Sequence, residues 1–444
     1  MEILNETDIT FAAQDVIDKE GRVFFWKGGV YRAIAKPNAA LYKDLLSNAE
    51  FGLLFNRGLI DTSIADLELK GYDLILKHYR IPIISYVTEW SGSMIKDAAL
   101  LTLDINMALL AFNLQIKDAH PWNVLFEGCK AVYIDFSSII QKRHTRKWFP
   151  LQEFWGKFHL PLLLMSYGCP NEARSLLVDP LTLRGRNLTQ LDIYKVLIKR
   201  GKWKEVLKFL IEFKPGHNSK PLVMLEKLRR RVEKVRLSPE KTRWSDYCDE
   251  EVDFTSYESW MIKRKETYQV LKRVQPKTVL DIGSNTGWFS KLAALGGSKV
   301  IAFDIDEPSI NKLFNNQNAK ILSILPLSMD FRKPTPAYGL GLRCQPAEAR
   351  LKAELVLALA IVHHLVFTQK ERFETIIGNL HKYSEKWLLV EFIPKEDIHV
   401  SKMYNDTFSW YTLENFISGL KKYYKEVEVL PSNPAPRVLL LCSK

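Results

Sequence analysis

The spacing of apolar residues changes character once along this chain, near residue 240. Upstream of that point, strand-like and helix-like spacings are mixed. Arg22 to Ala35 gathers β-branched and aromatic residues around Gly28-Gly29, which predicts a hairpin. Leu74 to Thr88 reads as further strands and Ala98 to Leu114 as a helix. A polar loop, Lys117 to Asn123, precedes a strand pair at Val124 to Phe126 and Val132 to Ile134. Phe154 to Phe213 has helical character, broken at Pro170 and Pro180, and Pro215-Gly216-His217-Asn218 reads as a loop. Beyond Ser238-Pro239, from Val279 onward, predicted strands alternate with helices. That alternation predicts a parallel sheet covered on both faces, an α/β architecture. Two domains are expected, 1–238 and 239–444, the first with a small β-rich lobe to about residue 90 and a helical lobe after it.

No apolar run approaches the ~20 residues of a membrane helix. The longest, such as Leu355 to Ile361 and Leu160 to Met165, have the length of core strands or helix pieces. The first residues, Met1 to Glu6, lack the basic and apolar regions of a secretory signal. Hydrophobic residues make up 47%, enough for ordinary buried cores. Cys129, Cys169, Cys248, Cys344 and Cys442 are scattered without Cys-x-x-Cys pairing, so neither a zinc site nor a disulfide framework is indicated, and a cytoplasmic location is expected. The net charge of +12 keeps nucleic acid in view as a partner. The densest basic run, Lys227 to Arg236, nevertheless places Leu228, Val232 and Val235 on one helical face. That is the pattern of a solvated amphipathic helix. No RNA-binding signature or zinc finger appears, so nucleic acid is the less favoured partner. Oligomeric state is not indicated.

The chemistry concentrates at Val279-Leu280-Asp281-Ile282-Gly283-Ser284-Asn285-Thr286-Gly287-Trp288, a buried strand running into a Gly-containing turn and then a helix over Trp288 to Leu295. Glycines let the backbone approach a ligand with no Cβ in the way. A second strand, Val300 to Phe303, ends at Asp304, 23 positions after Asp281. An acidic residue at such a strand end accepts hydrogen bonds from ribose hydroxyls. Alone, the turn fits a nicotinamide, flavin or other nucleotide site as well. The Gly-x-Asn-x-Gly form and the leading acid favour S-adenosylmethionine (SAM), which has no pyrophosphate to cradle.

On these residues the C-terminal half resembles class I SAM-dependent methyltransferases. The resemblance implies a Rossmann-like domain with a seven-stranded, mostly parallel sheet. It implies that Asp281 and the turn Gly283, Ser284, Asn285, Thr286, Gly287 hold the methionine end of SAM. Asp304 would bind the ribose, Ile305 would pack on the adenine, and Met329 and Asp330 would border it. Leu355 to Ile361 would be the fourth strand, with Val362-His363-His364-Leu365 at its tip; Trp387 to Val390 the fifth, ending at Glu391; Tyr423 to Leu430 and Arg437 to Cys442 the final antiparallel hairpin. The stretches Leu325 to Phe331 and Leu355 to Leu365 are similar to the nodulation-associated methyltransferases of rhizobia, which points to a small-molecule or glycan acceptor. His363 and His364 sit where open α/β sheets place ligands, and an imidazole takes a proton near neutral pH. Either one acts as the general base or both pack beside the cofactor; Glu391 is the alternative base. Trp244, Tyr247, Tyr257 and Trp260, ahead of the first strand, form a lid or a piece of core.

In the N-terminal half, Lys117-Asp118-Ala119-His120-Pro121-Trp122-Asn123 followed by Ile134-Asp135-Phe136-Ser137 resembles the catalytic loop and metal-binding turn of kinase-like phosphotransferases. The resemblance implies an α+β kinase-like domain in which Asp118 orients an acceptor hydroxyl and Asn123 and Asp135 hold magnesium with ATP. Tyr86 to Trp90 would be the strand between lobes. There is no Gly-rich phosphate loop, Lys27 and Lys36 are poor candidates for the strand lysine, and Ser137 replaces the usual glycine. An accessory domain for the methyltransferase and a bifunctional kinase–methyltransferase are both open at this point. Some enzymes that terminate O-antigen chains join the two activities in the opposite order.

Overall fold

The computed structural model describes residues 2–12, 21–142, 148–177, 187–212, 220–237, 242, 244, 250–342 and 344–444. Pro180, Pro215 to Asn218, Ser238-Pro239, Tyr247 and Cys248 lie outside the described residues. The chain divides into two compact units, Met1–Pro239 with Ala337–Gln345, and Glu240–Pro336 with Pro346–Lys444.

The first unit opens with an antiparallel sheet of five strands in the order Thr10–Phe11, Gly21–Trp26, Gly29–Ile34, Leu74–His78, Thr62–Ile64. The hairpin expected around Gly28-Gly29 is its centre. Alternation buries Phe24, Tyr31, Ala33 and Ile75 in one cluster with Leu4, Ile9 and Leu69. The segment after Leu74–His78 departs from expectation: Val87–Glu89 is a short 3-10 turn, not a strand. The Glu89 carboxylate accepts from its own Tyr86 backbone N–H at 2.8 Å, which folds the backbone back on itself.

Helix Gly92–Leu109 follows, with the Ser91 hydroxyl accepting from the Met94 N–H. Its buried residues Ile95, Ala98, Thr102, Ile105, Asn106 and Leu109 recur at helical spacing. Strands Val124–Glu127 and Lys130–Tyr133 pair antiparallel, as the pattern required. Helices Leu160–Ser166, Pro170–Leu177, Gln190–Lys199, Trp203–Glu212 and Pro221–Lys234 fill the rest. The helical stretch is broken ahead of Pro170 as expected, between Ser166 and Pro170, and Pro170 and Pro221 each begin a helix, because the first turn needs no N–H from them. The basic run is helical to Lys234 and buries Leu225, Leu228 and Val232. Within the same unit, Tyr338 packs edge-on against Tyr86 with ring centroids 5.2 Å apart.

The second unit is an α/β sheet of seven strands: β1 (Thr278–Ile282), β2 (Lys299–Asp304), β3 (Leu325–Ser328), β4 (Ala353–Ala358), β5 (Ser384–Phe392), β6 (Glu426–Pro431) and β7 (Val438–Ser443). Their order is β3-β2-β1-β4-β5-β7-β6. All neighbours are parallel except β7, which runs antiparallel to both β5 and β6. The central strands are buried over most of their length, which accounts for their runs of Val, Leu and Ile. The chain leaves β1 in one direction through β2 and β3 and returns to the other side of β1 as β4. The tips of β1 and β4 therefore flank the point where the winding reverses, and ligands of open α/β sheets bind there.

β4 ends at Ala358, three residues earlier than its apolar run suggested. Ala360 has φ 56°, a left-handed conformation that no strand continues through. The residues after it form a helical turn, His364–Thr368, of the wide π type that recurs at functional sites. Among the described residues no helix is long and apolar enough to cross a membrane. Cys129, Cys169, Cys344 and Cys442 are buried free thiols.

Candidate active site

The turn after β1 is shaped by three residues with positive φ: Gly283 (73°), Asn285 (51°) and Gly287 (78°). A Cβ on Gly287 would stand 2.6 Å from Leu313 Cδ1, so glycine is required there by both backbone and space. Asn285 is the asparagine that tolerates the left-handed region. The turn is tied to β2, because the Gly283 and Ser284 N–H groups both donate to the Phe303 carbonyl, at 2.9 and 3.2 Å. Gly287 then caps helix Trp288–Leu295, whose bounds are those the sequence pattern predicted.

Asp304 stands at the end of β2 with both carboxylate oxygens fixed. One accepts from the Asn285 N–H at 2.9 Å and the other from the Asp306 N–H at 2.8 Å. Burial still raises its pKa above the ordinary carboxylate value. Each oxygen keeps a lone pair, so the group is oriented yet able to accept from a diol. Asp281, 3% exposed, accepts from Ser290 Oγ at 2.6 Å. Burial, helped by the nearby Asp304 charge, pushes its pKa up to about 6. Ile305 follows Asp304 and is 65% exposed, an unusual state for isoleucine at a strand tip. The Ser284 hydroxyl is buried without a hydrogen-bond partner among the described residues. A turn with glycine at both ends, an oriented acid, an unpaired hydroxyl and an uncovered apolar surface fit a ligand with polar and flat apolar parts.

Met329 is buried and donates its N–H to the Asp304 carbonyl at 2.9 Å, which keeps the β3 tip beside that of β2. Asp330 is half-buried and accepts from Arg332 Nη2 at 2.9 Å. Its carboxylate is thus committed to a local ion pair. Thr286 is buried behind the turn, its N–H donating to Asn285 Oδ1 at 2.8 Å.

The two histidines differ. His363 is 5% exposed, and burial, reinforced by His364 and Arg437, pushes its pKa down to about 3. It stays neutral at physiological pH and is a weak base. Its Nδ1 has no hydrogen-bond partner among the described residues. His364 is half-buried, 4.0 Å from the His363 ring and edge-on to Trp244 at 5.1 Å. The Trp244 carbonyl accepts from Asn285 Nδ2 at 2.8 Å. Trp244 therefore spans from the glycine turn to the β4 tip. Trp260, by contrast, is buried edge-on against Trp288 at 5.2 Å and belongs to the core. Tyr257 packs on Trp260 at 5.2 Å.

Glu391, read from sequence as an alternative base, is fully buried on β5 and paired with Lys263 Nζ at 2.6 Å, and it accepts from Ser432 Oγ at 2.9 Å. Its carboxylate is held as the partner of a cation. Lys263, Ser290 and Ser432 escaped sequence reasoning because a lone Lys or Ser carries no motif. Only the Lys263 to Glu391 distance reveals the pairing.

In the first unit Asp135 pairs with Arg32 Nη2 at 3.4 Å and accepts from Ser137 Oγ at 2.8 Å. Arg32, buried on the Gly29–Ile34 strand, also donates to Ser137 Oγ at 2.7 Å. The Ser137 that departs from the kinase pattern thus has a structural task. Asn123 is buried and donates to the Tyr133 hydroxyl at 3.4 Å, and that hydroxyl donates to the Asp118 carbonyl at 3.3 Å. Asn123 is thus linked to the Asp118 backbone through Tyr133, and the Asp118 N–H donates to Ser138 Oγ at 3.2 Å. Among the described residues no group of three or more His, Cys, Asp or Glu side chains is placed to hold a metal ion.

No family model matches the chain. It is 27% identical over 433 residues to the nodulation protein NoeA of Rhizobium meliloti (strain 1021), covering 91% of this chain and 90% of that protein. Among solved structures it is similar to the bifunctional kinase-methyltransferase WbdD, at 18% identity over 40% of this chain and 38% of that one, with a TM-score of 0.30. It is also similar to the N-methyltransferase NodS from Bradyrhizobium japonicum WM9, at 15% identity over 41% of this chain and 96% of that one, TM-score 0.30. The chain thus resembles a nodulation-associated protein along most of its length, and methyltransferases, one of them joined to a kinase, along part of it. TM-scores this low leave its fold and site to be judged on its own residues.

Proposed function

We propose that the chain is a SAM-dependent methyltransferase acting through residues 239–444, with 1–238 a kinase-like accessory domain that assists binding of a small-molecule or glycan acceptor. The observation that carries this reading is the β1 turn. Gly283 and Gly287 open the backbone, and Asp281 and Asp304 stand at adjacent strand tips. The strand order, with β7 alone reversed, agrees with the antiparallel final hairpin that the class I resemblance implies. The likeness to NoeA over most of the chain supports a bacterial, nodulation-related lineage.

When bound, SAM supplies an electrophilic methyl group on a sulfonium. Asp304 would accept from its ribose hydroxyls, and Ile305 would cover its adenine. The turn Gly283 to Gly287 with Asp281 would hold the methionine end, and the buried Met329 would border the base. Asp330 is paired with Arg332 and keeps acceptor capacity for the adenine amino group. The enzyme's work is then to orient the acceptor and exclude water. Trp244 would provide the exclusion. For a hydroxyl acceptor the proton goes to His364, since His363 is too buried to hold one and Glu391 is occupied by Lys263. Magnesium–ATP use does not belong to the proposed activity, because the Asp135 carboxylate is paired with Arg32.

Calorimetric titration with SAM tests the proposal. The full-length chain should bind, and Asp304→Ala should weaken binding by at least about tenfold, the loss of hydrogen bonds to a charged acceptor. A folded wild-type chain that takes up no SAM would overturn it.

A further inference from the structure

Helix Trp203–Glu212 of the first unit carries apolar residues on two faces, and only one of them is covered. Phe209 is fully buried and seats the helix, packed edge-on against Tyr194 of helix Gln190–Lys199 with ring centroids 5.2 Å apart. Trp203, Leu207, Leu210 and Ile211 are instead 61%, 62%, 53% and 73% exposed. Positions three and four residues apart fall on one side of a helix, so these four form a single stripe turned to solvent. Scattered exposed apolar residues are ordinary, but a contiguous row of this kind marks a surface that meets something.

The surrounding charge selects the partner. From Lys199 to Lys208 the sequence carries five cations, Lys199, Arg200, Lys202, Lys204 and Lys208, and one acid, Glu205. Arg200 pairs with Glu172. Glu205 lies two positions after Trp203, about 200° round the helix and away from the stripe. Lys204 and Lys208 are exposed, and each follows a stripe residue by one position, so they border the stripe along one edge. This is the arrangement of a helix that lies in a membrane interface. Lysine stems run along apolar surface while their ammonium groups reach lipid phosphates, and the amphipathic indole suits the headgroup level. The stripe is about 12 Å long and one helix wide, small against the ~800 Å² per partner of a stable protein interface. A lipid surface needs no matching shape. A polynucleotide would take up the cations but leave the apolar stripe in water.

We propose that helix Trp203–Glu212 docks the protein peripherally on an anionic lipid surface, with the stripe among the headgroups and the bordering lysines on lipid phosphates. Neither the stripe nor its basic edge is large enough alone, so binding needs both and is reversible. Vesicle flotation of the full-length chain tests this, with vesicles of phosphatidylcholine alone and of equal parts phosphatidylcholine and phosphatidylglycerol. The chain should float with the mixed vesicles at low salt. It should lose most of that binding with phosphatidylcholine alone or in about 1 M salt. Leu207→Gln with Ile211→Gln, and separately Lys204→Gln with Lys208→Gln, should each reduce binding to mixed vesicles at least about tenfold. All four side chains are exposed, so both double variants should keep the wild-type unfolding midpoint. No flotation with mixed vesicles, equal flotation with both kinds, or wild-type flotation of either double variant would overturn the proposal. So would dimerisation in sedimentation velocity that Leu207→Gln with Ile211→Gln abolishes, which would assign the stripe to a second copy of the chain. SAM binding enters none of these readouts, so their failure leaves the methyltransferase reading standing.

Discussion

At the scale of single residues, the tip of β1 couples protonation to stability. Asp281 is buried beside a second carboxylate, and its pKa rises from the ordinary 3.8 to about 6. The folded chain therefore holds this proton more tightly than the unfolded chain. The resulting stability is fully present below pH ~4 and is lost as pH rises through about 6. Asp281→Asn removes the titration but keeps an oxygen for Ser290. The variant should match wild type near pH ~4 and exceed it above pH 6 by at most about 3 kcal/mol. Urea unfolding across that window measures the gap; a gap independent of pH would mean that Asp281 is not the group that titrates. An acid kept at such a cost on β1 fits the cofactor role proposed for it.

At the scale of elements, helix Ile262–Val274 and strand β5 are joined by the Lys263–Glu391 ion pair, with Lys263 14% and Glu391 0% exposed. Removing only the cation strands a buried carboxylate. Lys263→Met should cost about 3–5 kcal/mol, and adding Glu391→Gln should recover much of that. Chemical denaturation of the single and double variants gives the coupling energy. If the double variant is as weak as Lys263→Met alone, the pair is not what joins these elements. The same pair explains why an acid at a strand tip, so suggestive in sequence, does other work here.

At the scale of the whole molecule, the two compact units carry separate buried features. Gly287 meets Leu313 in one, and Arg32 pairs with Asp135 in the other. Gly287→Ala forces a Cβ to 2.6 Å at a φ of +78° and should destabilise its own unit by roughly 1–3 kcal/mol. Arg32→Met should destabilise the other by roughly 3 kcal/mol, as for a partly buried pair. Features that share no partner add within about 0.5 kcal/mol. Calorimetric unfolding of the double variant should show two transitions, each lowered as in its single variant; a single transition lowered by the sum would mean that the two units melt as one.

How much of this was legible in the sequence depended on range. The strand–turn–helix over residues 278–295 could be read almost residue by residue, because a buried strand, a glycine turn and an amphipathic helix are each decided by neighbours in sequence. The same holds for the hairpin at Gly28-Gly29 and for the amphipathic helix ending at Lys234. The apolar run through Ile361 overstated β4, since its last residues are apolar for packing while Ala360 turns the backbone. Tyr86 to Trp90 looked extended until Glu89 folded back on Tyr86. What the chain alone determined was thus local: periods, turns and the acids and glycines at their ends. Only tertiary structure decided the contacts between distant residues. It buried His363 and left His364 half-buried, gave Glu391 to Lys263 and Asp135 to Arg32, and set Trp244 between the turn and the β4 tip. A charge's role depends on burial and on partners far away in sequence, and the periodicity of neighbours carries no record of either.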